Sequence, residues 1–162
     1  MQSANAKADR RLAAIVAGIV LLVGGVITYV IVQPMMQATT PISIGTSTLY
    51  AEVAQTEQAR EKGLSGRESL AANRALLMVF EKDDLWPIWM KDMKFPIDIV
   101  WLNAQKRIVH VQQNVQPSSY PDTRYRPSEP ARYVIELPAG QAFQYGFRKG
   151  TDVAFSVPGE SS

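Results

Sequence analysis

The sequence predicts a mainly β domain, a compact antiparallel barrel or sandwich with one or two short helices, preceded by one transmembrane helix. Three observations carry this. Residues 12–32 are an uncharged apolar run, several short segments beyond residue 40 alternate β-forming residues, and Gly, Pro or Asn punctuate their ends.

The apolar run LAAIVAGIVLLVGGVITYVIV comes first. As a helix rising about 1.5 Å per residue it reaches roughly 31 Å, against a hydrocarbon core of about 30 Å. Lys7, Arg10 and Arg11 precede it with only Asp9 opposed, and no charge follows until Glu52. The positive-inside rule therefore puts the N-terminus in the cytoplasm and the remainder outside, with Tyr29 near the outer interface. A cleaved signal peptide would have a shorter apolar region ending in a small-x-small site. This run ends in Val-Ile-Val-Gln-Pro, so an uncleaved anchor is expected. The resulting order is a cytoplasmic tail at 1–11, an anchor at 12–32 and a tether at 33–41. An exported β-rich domain at 42–158 and a tail at 159–162 follow.

Within the domain, residues 48–54 (TLYAEVA) alternate as a strand, with a shorter one expected at 42–44. Thr56 is placed to cap a helix over 57–62, with Glu57 in its first turn and Gly63 as its stop. Residues 75–80 (ALLMVF) are too uniformly apolar for a surface helix and suit a buried strand. Residues 97–102 and 107–115 flank Asn103-Ala104-Gln105-Lys106 as a hairpin. A loop rich in Pro and Ser spans 116–130. Strands are expected at 132–137 and 152–157, with a helical turn or two within 139–145.

Composition narrows the chemistry. The chain has 162 residues, no Cys and one His, so disulfides, thiolate metal sites, cysteine nucleophiles and two-imidazole sites are excluded. No cofactor or metal is expected. The net charge of +2 belongs to Lys7, Arg10 and Arg11 less Asp9, and residues 33–162 are neutral. No nucleic-acid partner is expected from a chain without a basic face.

Several motifs occur in a fixed order: Arg60-x-x-Gly63-Leu64-x-x-Arg67, Leu77-Met78-Val79-Phe80, Trp89-Met90-Lys91-Asp92, Pro96-Ile97-Asp98, Val134 to Gly140 (VIELPAG), and Gly146-x-x-x-Gly150-x-Asp152. Together, over roughly residues 48–157, the chain resembles the bacterial and archaeal family called domain of unknown function 192. The resemblance implies a mainly β single domain, often exported or membrane-anchored, and no established activity. Two departures from the family pattern are Leu77-Met78-Val79-Phe80 for Gly-Met-Leu-Phe and Asp92-Met93 for Asn-Thr.

The chemistry-bearing residues fall into three groups. Asp98 sits between Ile97 and Ile99, so an inward carboxylate there needs donors or a cation. Arg60 and Arg67 are the expected partners in a structural ion pair. Glu136 alternates with Tyr133, Ile135 and Leu137 and so belongs to the opposite face of its strand. Asp92, Asp98 and Glu136 are also the carboxylates from which a glycosidase-like pair would be drawn. Trp86, Trp89, Lys91, Asp92, Tyr120 and Tyr125 are candidate ligand-binding residues, since flat rings edged by polar groups suit sugars. For Trp89 and Trp101, alternation along their segments favours a place in the core. His110 lies among apolar strand residues with no Ser or Cys motif beside it, which favours a structural role. The sequence therefore points to a non-catalytic binding module for a cell-envelope component such as a glycan. A hydrolase of the same material and a structural or assembly partner of envelope proteins are the rivals.

Overall fold

Strand β1 (Thr39–Ile44) turns through Gly45, at φ 55°, into β2 (Ser47–Ala54) as an antiparallel hairpin. The computed structural model describes residues 39–159. The expected anchor at 12–32 and tail at 1–11 lie outside the described residues, among which no helix is long and apolar enough to cross a membrane. β1 begins at Thr39, so residues 39–41, expected as the end of the tether, are strand.

Helix α1 (Glu57–Lys62) follows β2, with Thr56 Oγ1 accepting the Ala59 N–H at 3.2 Å and Gly63 at its C-terminus. The chain then returns as β3 (Arg74–Asp84), parallel to β2. Strands β4 (Ile97–Leu102) and β5 (Ile108–Val115) form the expected hairpin. Asn103 Oδ1 fastens its turn by accepting from the Gln105 and Arg107 amides at 3.1 and 3.0 Å. A 3-10 turn at Pro117–Ser119, strand β6 (Ala131–Pro138) and helix α2 (Gln141–Gln144) complete the elements.

The sheet has six strands in the order β1-β2-β3-β6-β4-β5. It is mixed and does not close into a barrel, which corrects the antiparallel barrel or sandwich expected above. The connection through α1 causes the difference, because it carries the chain back before β3 begins, as a parallel neighbour requires. Residues 152–157 alternate but form no named strand. They make isolated bridges from Ala154 to Ser43 on β1 and from Asp152 to Arg107 before β5.

Both faces of the sheet are covered. One carries Ile42, Leu49, Leu77, Val100, Ile135 and Phe147. The other carries Leu64, Met78, Phe80, Ile99, Trp101 and Val134. Burial on both sides explains why every residue of β4 (IDIVWL) is buried, Asp98 included. Trp101 is fully buried, as alternation predicts, and its indole N–H donates to the Trp86 carbonyl at 3.0 Å.

Candidate functional site

A cleft of about 1010 Å³ opens between α1, β3, the segment 86–93 and Arg124. Its first wall is built by α1. Arg60, in the last turn, donates from one guanidinium nitrogen to the carbonyls of Gln55 and Val79, at 2.5 and 2.9 Å. Those bonds hold its charge 5.0 Å from the centroid of Phe80 on β3. Phe80 in turn stacks on Trp86 at 4.3 Å and 12° between planes.

The second wall is the segment after β3. The Trp86 indole N–H donates to the Lys82 carbonyl at 3.1 Å, folding that segment back over its own strand. Ile88 and Tyr125 exchange two backbone hydrogen bonds, both 2.8 Å, which draw the long loop alongside. That pairing delivers Arg124, whose guanidinium lies 4.2 Å from the Trp89 ring centroid.

Glu136 lies beneath these walls on β6, flanked by Leu76 of β3 and Ile99 of β4. It is 3% exposed, and its Oε2 has no hydrogen-bond partner. Burial pushes its carboxyl up to about 7, against the opposing pull of the Arg67 charge. Arg67 itself is committed elsewhere. Its two terminal nitrogens meet the two oxygens of Glu52 at 2.7 Å each. That hydrogen bonding holds Glu52 below the usual carboxylate range and raises Arg67. Gly63 packs closely over Glu136, since a Cβ there would stand 3.5 Å from Oε2 and 3.3 Å from Met78 Cε.

The model of domain of unknown function 192, described as an uncharacterised ACR family, matches residues 40–155. The chain belongs to this family. No functionally curated protein matches it. A Sinorhizobium meliloti 1021 protein, described as a candidate transcription regulator, has a similar crystal structure with TM-score 0.69 and 26% identity, over 74% of this chain and 95% of that one. A Novosphingobium aromaticivorans DSM 12444 protein of unknown function is similar at TM-score 0.66 and 25% identity, over 72% of this chain and 84% of that one.

In this DUF192 domain several of the motif residues gather at the cleft. Arg60, Gly63, Leu64, Phe80, Trp89 and Glu136 all line it, from four separate stretches of sequence. Trp86 and Trp89 are half-buried walls of the same cleft, so Trp89 leaves the core position that alternation favours. Tyr125 is half-buried and packs against the neighbouring apolar cluster, while Tyr120 is exposed. Lys91 and Asp92 are exposed and do not line the cleft. Their carbonyls serve structure instead, accepting from Ser65 Oγ at 2.7 Å and the Gly66 amide at 2.8 Å.

The expected pairing of Asp98 with Arg60 or Arg67 is not formed. Asp98 is fully buried on the sheet face opposite Glu136, among the residues around Val100 and Ala142. Its Oδ1 accepts the Asn114 amide at 2.8 Å, and its Oδ2 accepts the Ala142 amide at 2.9 Å. One donor is freed by the irregular β4–β5 register and the positive φ of Asn114, the other by the start of α2. Of Asp92, Asp98 and Glu136, only Glu136 lines the cleft, so no two of them form a facing pair.

His110 is half-exposed and meets Trp101 edge-on at 5.4 Å, with burial and then Lys149 lowering its pKa. The sequence marks Phe80 only as part of a motif and assigns Arg124 no place in a site, and it does not pair Arg67 with Glu52. The alternation that sets Glu136 apart from Ile135 and Leu137 is the signal that points toward the floor of the cleft.

Proposed function

We propose that the chain is a single-pass, N-in membrane protein that presents this domain outside the cytoplasm as a non-catalytic binding module for a cell-envelope glycan. The observation that carries the binding role is the cleft itself. Trp86 and Trp89 supply flat apolar surface there, backed by the buried Phe80, Arg60 and Arg124 edge it with donors, and Glu136 supplies a polar group at depth. The anchor reading is supported by the uncharged run 12–32 and the basic residues before it. A binding role is favoured over hydrolysis because the acids expected to pair do not face one substrate. Asp98 lies across the sheet from Glu136 and Asp92 lies outside the cleft, while Glu57, Glu61 and Glu81, which do line it, are exposed side chains. The regulator description of the Sinorhizobium protein finds no support in charge, since residues 33–162 are neutral.

Calorimetric titration of the detergent-solubilised full chain with hexosamine oligosaccharides tests this reading. Binding is expected, and Trp86→Ala weakens it by about tenfold, the loss of roughly 1.4 kcal/mol of ring contact. Absence of binding to any envelope oligosaccharide overturns it. Protease digestion of intact cells checks the topology. Cleavage within residues 42–158 from outside is expected, and full protection refutes the orientation.

A further inference from the structure

Glu136 is the most unusual polar group among the described residues. A carboxyl 3% exposed, with an oxygen lacking any partner, is costly unless something completes it. The charged group that acts on it, Arg67, is engaged at both terminal nitrogens by Glu52 and leaves that oxygen unfilled. The oxygen itself is covered, so a partner reaches it only as its neighbours yield. Gly63 lies close over it with no side chain, and the neighbouring Met78 ends in a flexible thioether that can move aside.

Acidic groups draw a cation to the rest of the cleft, since Glu57, Glu61 and Glu81 line it together with Glu136. The chain's own cations are partly committed to its rings, Arg60 over Phe80 at 5.0 Å and Arg124 over Trp89 at 4.2 Å. Trp86 continues the aromatic wall from Phe80. A hydroxyl would gain one hydrogen bond at Oε2, whereas an ammonium also neutralises the carboxylate.

We propose that the cleft contains an amine subsite in which Glu136 receives a primary ammonium group, so that the glycans it takes carry free rather than acetylated amines. This rests on the glycan reading above, and the experiment separates the two.

Three probes are titrated into the detergent-solubilised full chain and its Glu136→Gln variant: a glucosamine hexamer, the N-acetylated hexamer, and benzylammonium. The free-amine hexamer is expected to bind at least tenfold more tightly than the acetylated one, and Glu136→Gln removes that preference. If both hexamers bind alike and Glu136→Gln changes nothing, the amine subsite is wrong and the glycan reading stands. If benzylammonium binds through Glu136 while neither hexamer binds, the amine subsite stands and the glycan reading falls. If no probe binds, both fall. Should Glu136→Gln fail to fold, the wild-type chain with ¹³C-labelled glutamate carboxyls gives the answer. At pH 6 the Glu136 signal moves to its carboxylate position on saturation with benzylammonium, and a signal that stays in place overturns the amine subsite.

Discussion

Two buried carboxylates, one on each face of the sheet, meet opposite surroundings. Asp98 is completed by two backbone amides, those of Asn114 and Ala142. Glu136 keeps an oxygen without a partner. Removing Asp98 strands the buried Ala142 N–H and the half-buried Asn114 N–H, and leaves a cavity in the core. Asp98→Ala is therefore expected to lower unfolding free energy by about 3–5 kcal/mol in urea titrations. A loss below about 1 kcal/mol would mean that the two amides find other acceptors. That Asp98 is buried was legible from Ile97 and Ile99 on either side. Its partners were not, because a backbone donor leaves no mark in composition. Charge alone points to Arg60 or Arg67 as its partner, but Arg67 meets Glu52, half-buried on β2, and Arg60 meets carbonyls.

At the scale of elements, the residues that end a segment were read better than the way segments pair. The cap at Thr56 and the stop at Gly63 follow from local chemistry, and both are found where expected. The parallel pairing of β2 with β3 was not legible, because alternation tells which face a residue takes and not which strand lies beside it. The same limit explains residues 152–157, whose alternation reflects burial of Val153, Phe155 and Val157 against one face without a continuous ladder. Gly63 joins element to site. It sits at φ 50° and ψ −132°, a conformation nearly closed to other residues, beside Met78 and above Glu136. Gly63→Ala should cost about 1–3 kcal/mol from backbone strain alone. It should also weaken ligand binding in the cleft, since the new methyl stands 3.5 Å from Glu136 Oε2 and crowds the Met78 thioether that must move aside. Thermal denaturation together with calorimetric titration checks both, and unchanged affinity would place the ligand away from α1.

Over the whole molecule the charged groups set opposing pH limits on stability. Glu52 is held below its ordinary value by its hydrogen bonds to Arg67, so its contribution is present above about pH 4.5 and is lost as pH falls through its folded value. Glu136 acts in the other direction. Its carboxyl, raised from 4.5 to about 7 by burial, keeps its proton in the folded chain where the unfolded chain has lost it. Stability therefore falls as pH climbs through that window, by an amount on the order of 3 kcal/mol when complete. His110, lowered chiefly by its partial burial, adds a smaller loss below its ordinary value of 6.5. The domain is thus expected to be most stable on the acid side of neutrality, near pH 5, rather than at pH 7–8. Urea titrations of the full chain from pH 3.5 to 8.5 read this directly. Glu136→Gln should flatten the alkaline limb, gaining about 2–3 kcal/mol over the wild type at pH 8 and little at pH 4. A wild-type curve that is flat between pH 5 and pH 8 would mean that Glu136 ionises freely in the folded chain. Its oxygen would then already be completed by solvent, and the cleft would lack the unfilled acceptor on which the amine subsite depends.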